Sequence, residues 1–334
     1  MNKDRVAKEI YAKLMHSERV LIIPHQNPDG DALGAASALA TFLDNHNIQR
    51  RIWCLTPPPS TLMFLPHAHE VSSDPTIWKT ESFDTIIVVD SGDLKYAGVA
   101  DHIYNLPYTT TLIVIDHHTT NQNYGDINLV ITNASSTNEI LYSFFVVNHE
   151  PITALMATAL MTGLITDTGT FTNAGTSRIS LSVGGELIRR GADIKMIKQE
   201  IITDKSLPTL KLWGEVLSRL TLHEPTGIVY TYIQQKDLQR YHVNEEQSEG
   251  VANFLNFLEE GRAAMVLKER EDHTYKGSFR TTRNDLDVSA WAKLFGGGGH
   301  VKAAGFSVSL PLDQTIAYIL SSVEKFEQEK NSGK

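Results

Sequence analysis

Three short runs, residues 20–24 (VLIIP), 85–89 (TIIVV) and 112–115 (LIVI), are apolar at nearly every position. A strand that meets water on one face alternates apolar with polar residues, so continuous runs of this length belong to strands buried on both faces. Such burial needs helices above and below, and helical patterns at 32–46, 138–148 and 152–165 lie between and after the runs. The alternation predicts an α/β domain built on a parallel, doubly wound sheet. Within it, Ser136-Thr-Asn-Glu139 has capping-box spacing and marks a helix start, which as a simple cap needs no ligand.

Each run finishes in residues that bind metals: His25-Gln-Asn-Pro-Asp29-Gly-Asp31 after the first, Asp90 after the second, and Asp116-His117-His118 after the third. In open parallel sheets the ligand crevice lies outside the carboxyl ends of the strands, so these segments converge. Asp167, closing the apolar stretch Gly-Leu-Ile-Thr-Asp, is a fourth candidate. A lone Asp at such a place ordinarily caps a helix or meets solvent. The mixture argues otherwise, because clustered carboxylates without cations raise one another's pKa, whereas carboxylate with imidazole suits Mn²⁺. Two metal ions are the economical solution, and Pro28 with Gly30 permits the bend that turns His25, Asp29 and Asp31 inward.

A chain of 334 residues, 41% hydrophobic and 21% charged, has room for two globular domains. We expect the first over 1–190, a helical linker over 191–222 and a smaller mixed α/β domain over 223–328. In the latter, strands are expected at 228–233, 263–267 and 306–308, and helices at 245–258, 288–295 and 312–327, before a frayed tail over 327–334. The net charge of -9 disfavours long duplex nucleic acid, which is held by many Lys and Arg contacts. A short anionic ligand is compatible, since two divalent ions add positive charge where the Asp residues cluster.

Cys54 is the only cysteine, which excludes an internal disulfide and fits a reducing cytoplasm. The first twenty residues alternate charge and apolar character as an amphipathic helix does, unlike a signal peptide. No stretch reaches the roughly 20 apolar residues of a membrane span. Farther on, Gly296 to Gly299 precede His300 and could present backbone N–H groups to an anion at close range, although a bare glycine run is more often a flexible loop.

The segment His25 to Gly34 (HQNPDGDALG), the strand ending in Asp90, Asp116-His117-His118 followed by Asn121, and Leu-Ile-Thr-Asp167 resemble, in order and spacing, the four motifs of the DHH phosphoesterase superfamily. The resemblance implies that His25, Asp29 and Asp90 hold one Mn²⁺ and that Asp31, His117 and Asp167, with Asp90 bridging, hold another. It further implies that Asp116 orients a histidine, that His118 faces the substrate phosphate, and that a metal-bridging hydroxide attacks phosphorus.

Lys276-Gly-Ser278-Phe-Arg280, Asp287-Val-Ser and GGGGH-VKAAGF are similar to the DHH-associated substrate-binding domain. By that likeness Arg280 and His300, with Ser278 and the backbone of Gly297, Gly298 and Gly299, clamp a terminal phosphate. Arg283 is a candidate neighbour, set against its reading as an exposed loop residue, and Lys302 stands likewise. The two-domain plan resembles the stand-alone nanoRNase and pAp phosphatase group, which degrades very short oligoribonucleotides and removes the 3'-phosphate of adenosine 3',5'-bisphosphate. Rival readings are a cyclic di-AMP or pApA phosphodiesterase, a RecJ-like single-strand exonuclease, and a catalytically silent nucleotide-binding module. A homodimer is compatible with the sequence, which sets no oligomeric state.

Overall fold

The computed structural model describes residues 3–173, 175–201, 206–245, 248 and 250–332. The chain divides into two compact units, Met1–Thr203 and Asp204–Lys334. Helices Ile194–Glu200 and Leu207–Ser218 fall on either side of that division.

The first unit is a six-stranded sheet of β1 (Arg19–Pro24), β2 (Gln49–Trp53), β3 (Val71–Ser72), β4 (Thr85–Val89), β5 (Thr111–Asp116) and β6 (Ile127–Val130) in the order β3-β2-β1-β4-β5-β6. Every pairing is parallel. The apolar runs alternate between two cores, as strands covered on both faces must. Ile22, Ile87, Val89, Ile113 and Ile115 pack against Leu33, Leu39, Phe144 and Leu160, while Leu21, Ile23, Ile86 and Val88 pack against Trp53, Trp78 and Phe83. The expected helices appear as Gly30–Asn45, Thr137–Val147 and Ala154–Asp167, and an N-terminal helix, Lys3–Met15, buries Val6, Ile10 and Leu14. Strand β2 escaped the sequence reading because Arg50 and Arg51 interrupt its apolar run; Arg50 is held by Asp44 and Glu70.

Strand order reverses between β1 and β4, the topological switch point at which doubly wound sheets open a crevice. His25 follows one of these strands and Asp90 the other.

The second unit carries β7 (Thr221–His223), β8 (Ile228–Ile233), β9 (Ala263–Glu269), β10 (Tyr275–Arg280), β11 (Gly298–His300) and β12 (Ala303–Val308) in the order β11-β12-β10-β9-β8-β7. Among the described residues only β8 and β9 pair in parallel there. Trp291, Ile319 and Val323 cover the face bearing Met265, Phe279 and Phe306, and Leu212, Val216 and Leu238 cover the face bearing Ala264 and Val266.

Three expectations change here. The C-terminal helix runs Leu312–Ser332, so residues 327–332 are not frayed, and 333–334 lie outside the described residues. Glu327 ties that stretch down by accepting from Arg262 Nη2 and Trp291 Nε1, both at 3.0 Å. The helix expected over 245–258 is a short helix, Val251–Phe254, followed by a 3₁₀ turn, because Gly250 sits at φ 102° just ahead of it; residues 246, 247 and 249 lie outside the described residues. The second half of the glycine run enters an edge strand, with Gly298, Gly299 and His300 opposite Gly305, Ala304 and Ala303. A Cβ on Gly297 would stand 2.2 Å from the Gly305 carbonyl oxygen, so close backbone approach requires glycine there.

Among the described residues no helix is long and apolar enough to cross a membrane.

Candidate metal centre

Asp29 is both a helix cap and a candidate ligand: its Oδ1 accepts from the backbone N–H groups of Asp31 and Ala32, starting Gly30–Asn45. That start places Asp31 in the first turn, fully buried. Asp90 leaves β4 at φ 56°, a left-handed conformation that Asp tolerates better than most residues but that still costs on the order of 1 kcal/mol. It is 2% exposed.

The two oxygens of Asp90 look to different partners. Oδ2 lies 3.6 Å from His25 Nε2, and Oδ1 lies 3.5 Å from His117 Nε2. His25 Nε2 is also 3.7 Å from Asp29 Oδ1, while His117 Nε2 is 3.8 Å from Asp31 Oδ2 and 3.2 Å from Asp167 Oδ2. Among the described residues, three sets therefore offer ligand atoms within 4.8 Å of one another: His25, Asp29 and Asp90; Asp31, His117 and Asp167; and Asp90, His117 and His118. Spacings of this size suit O and N donors converging on ions with bonds of about 2.0 to 2.2 Å.

Both histidines are oriented from behind. His25 Nδ1 donates to the Gln26 carbonyl at 2.8 Å and His117 Nδ1 to that of Ala134 at 3.4 Å, which turns each Nε2 toward the carboxylates. Asp116, fully buried, stands in none of the three sets. It accepts from His118 Nδ1 at 2.7 Å, from Asn121 Nδ2 at 2.6 Å and from the N–H groups of His117 and His118. Burial opposes its ionisation, yet those donors hold its pKa below the usual carboxylate value.

Carboxylates outnumber imidazoles in the cluster. Burial, then repulsion from Asp31, Asp29, Asp167 and Asp116, pushes Asp90 well above the carboxylate range. Burial and Asp31 raise Asp167 to about 7 against the opposing hydrogen bond from His117. Burial alone would lower His117, but that same hydrogen bond and the surrounding carboxylates raise it to about 9. Carboxylates so strained for want of a counter-charge fit divalent cations.

The segment read only as a cap is part of this centre. Ser136 does cap Thr137–Val147, accepting from Glu139 N–H, but the Glu139 carboxylate accepts from Ser135 N–H, so the box is not closed on its own cap. The helix N-terminus points at Asp31, whose oxygens accept from Thr137 N–H at 2.7 Å, Asn138 N–H at 3.1 Å and Asn138 Nδ2 at 2.7 Å. Thr137 Oγ1 donates to Asp90 Oδ1.

Close packing protects this arrangement: a Cβ on Gly163 would lie 1.9 Å from Asn138 Nδ2 and 2.7 Å from Asp31 Oδ1. Gly163→Ala should therefore cost about 1–3 kcal/mol through overpacking. Gly185→Ala, where a Cβ meets nothing within 4 Å, should be neutral or stabilising. Thermal denaturation of the two variants checks the contrast.

In the second unit, sheet register puts Arg280 opposite Ala303 and Ala303 opposite His300, so Arg280 and His300 occupy one row on one face. Two residues back, Ser278, Gly305 and Gly298 form a second row on that face. Gly299 falls in the intervening row, in register with Ala304 and Phe279. Arg280 and Arg283 line a cavity of about 110 Å³ with Arg262 and Thr281, whereas His300, Ser278 and the glycines do not. Arg283 is exposed and paired with Asp285 at 3.1 Å, and Lys302 Nζ donates to its carbonyl.

Residues 19–164 match the model of the DHH family, N-terminal domain, and residues 226–329 that of the DHHA1 domain. A protein of Thermus thermophilus named bifunctional oligoribonuclease and PAP phosphatase NrnA is 29% identical over 307 residues, covering 92% of this chain and 89% of its own. A Bacillus subtilis protein of the same name is 25% identical over 294 residues, covering 87% and 90%. An exopolyphosphatase-related protein from Bacteroides fragilis shares the fold, with a TM-score of 0.89, 22% identity and 97% of either chain covered.

Proposed function

The chain belongs to the DHH family, and from that premise we propose that it is a metal-dependent phosphoesterase that hydrolyses very short oligoribonucleotides to mononucleotides and 3'-phosphoadenosine 5'-phosphate (pAp) to AMP. The observation that carries the reading is the sharing of Asp90, one oxygen toward His25 and the other toward His117. His25, Asp29 and Asp90 would hold one divalent ion, and Asp31, His117 and Asp167, with Asp90, the other. Mixed carboxylate and imidazole donors favour Mn²⁺ as the ion. When bound, the pair supplies Lewis acidity toward phosphoryl oxygens and a lowered water pKa.

The chain's own groups do the rest. Asp116 holds His118 through Nδ1, so the imidazole is set to protonate the leaving oxygen or steady its charge. The face bearing Arg280, His300, Ser278 and Gly298 binds a terminal phosphate, and Arg280 can do so in bidentate fashion. Short substrates accord with a net charge of -9, since few distant phosphate contacts are needed. The single, buried Cys54 accords with a reducing cytoplasm.

The test is a product assay with Mn²⁺ that offers pAp, pApA, longer RNA, cyclic di-AMP and pyrophosphate in parallel. Turnover of pAp and of the shortest RNA is expected; consumption of pyrophosphate alone would overturn the reading. Arg280→Ala should raise KM by about 10- to 100-fold, the value of one charge-assisted hydrogen-bonded contact, with kcat little changed.

A further inference from the structure

The roles above leave unused one aromatic residue beside the donor cluster. Tyr96 lies in the turn after Asp90, its ring centroid 4.9 Å from that of His25 and the two planes inclined by 38°. Its backbone is pinned on both sides, the N–H donating to Asp93 Oδ1 at 2.7 Å and the carbonyl accepting from Gln26 N–H at 3.4 Å. The residue is nevertheless 48% exposed, and its hydroxyl has no hydrogen-bond partner among the described residues. Burial of the ring and the carboxylates of Asp29, Asp90 and Asp167 all act on that hydroxyl, which places it within electrostatic reach of the cluster.

A ring serving only to cover His25 would need no hydroxyl, and a phenylalanine would cover it at no cost in desolvation. An uncommitted donor among carboxylates that cations neutralise is instead suited to an anionic oxygen arriving with the substrate. We propose that Tyr96 is a substrate-binding residue: braced on His25, it donates its hydroxyl hydrogen bond to a phosphoryl oxygen of the ester being cleaved. The inference rests on the phosphoesterase reading and adds to it a contact from the turn that follows Asp90.

Tyr96→Phe keeps the ring and removes the donor. It should lower kcat/KM on pAp by about 10- to 100-fold, as loss of a hydrogen bond to a charged group does, and weaken inorganic phosphate binding to the Mn²⁺-loaded protein comparably. Mn²⁺ affinity measured by calorimetry should stay at the wild-type value. Unchanged turnover and unchanged phosphate binding would overturn the proposal. So would a parallel fall in Mn²⁺ affinity, which would make Tyr96 a support for His25, or a loss seen in Tyr96→Leu but not in Tyr96→Phe, which would make its ring a stacking surface. If the wild type cleaves no phosphoester, the phosphoesterase reading fails while the phosphate titration still decides on Tyr96.

Discussion

Replacing His117 with alanine is expected to cut turnover by about a thousandfold or more, beyond the roughly 10- to 100-fold typical of losing an outer partner of a metal site. His117 Nε2 stands 3.2 Å from Asp167, 3.5 Å from Asp90 and 3.8 Å from Asp31, so it is the one non-carboxylate donor in its set. Without it, three carboxylates face each other with no imidazole between them, and affinity for one ion falls together with activity. Asp116→Asn is the informative contrast. It keeps the shape of the side chain but weakens its hold on His118 Nδ1, so kcat should fall by about 10- to 100-fold while Mn²⁺ affinity is kept. Turnover is measured at saturating Mn²⁺ and affinity by titration of the metal-free protein with Mn²⁺, with circular dichroism confirming the fold. Near-wild-type turnover by His117→Ala would refute the assignment of the centre.

Why His117 and its companions could be read from sequence, and other parts could not, has a physical basis. Strands β1, β4 and β5 are covered on both faces, so their composition alone betrays them, and the parallel order then forces whatever follows them into one crevice. Strand β2 carries Arg50, whose largely buried side chain is answered by Asp44 and Glu70, partners that no local pattern reveals. At β11, Gly297 and Gly299 are glycine because the backbone there must approach β12 closely, whereas in sequence the same glycines signal freedom. Ser136 to Glu139 announced a helix start correctly, but a cap motif is silent about what the exposed N–H groups will meet, here the Asp31 carboxylate. Tyr96 belongs to no periodic pattern, and only the folded turn reveals its contact with His25.

The electrostatic strain at the centre leads to the second large effect, in stability. With Asp167 raised to about 7 from an ordinary value near 3.8, the metal-free folded protein holds a proton that the unfolded chain has released between those values. Its stability therefore falls as pH rises through that window. His117, raised to about 9 from 6.5, extends the same slope, since above 6.5 the unfolded chain loses a proton that the folded one retains until about 9. Metal-free protein should thus unfold at progressively lower temperature from about pH 4 to pH 9. Divalent ions reverse the sign by displacing those protons and binding the ionised ligands, so their effect grows with pH. At an ion concentration about a thousand times Kd the added stability is about 4 kcal/mol, which for a unit of this size corresponds to a Tm gain of about 8–16 °C. Scans in chelator and in Mn²⁺ at pH 6, 7 and 8.5 read the difference directly. A chelated protein as stable as the Mn²⁺-loaded one at pH 8.5 would mean that the buried carboxylates have found their counter-charge within the chain, and the two-metal centre would have to be abandoned.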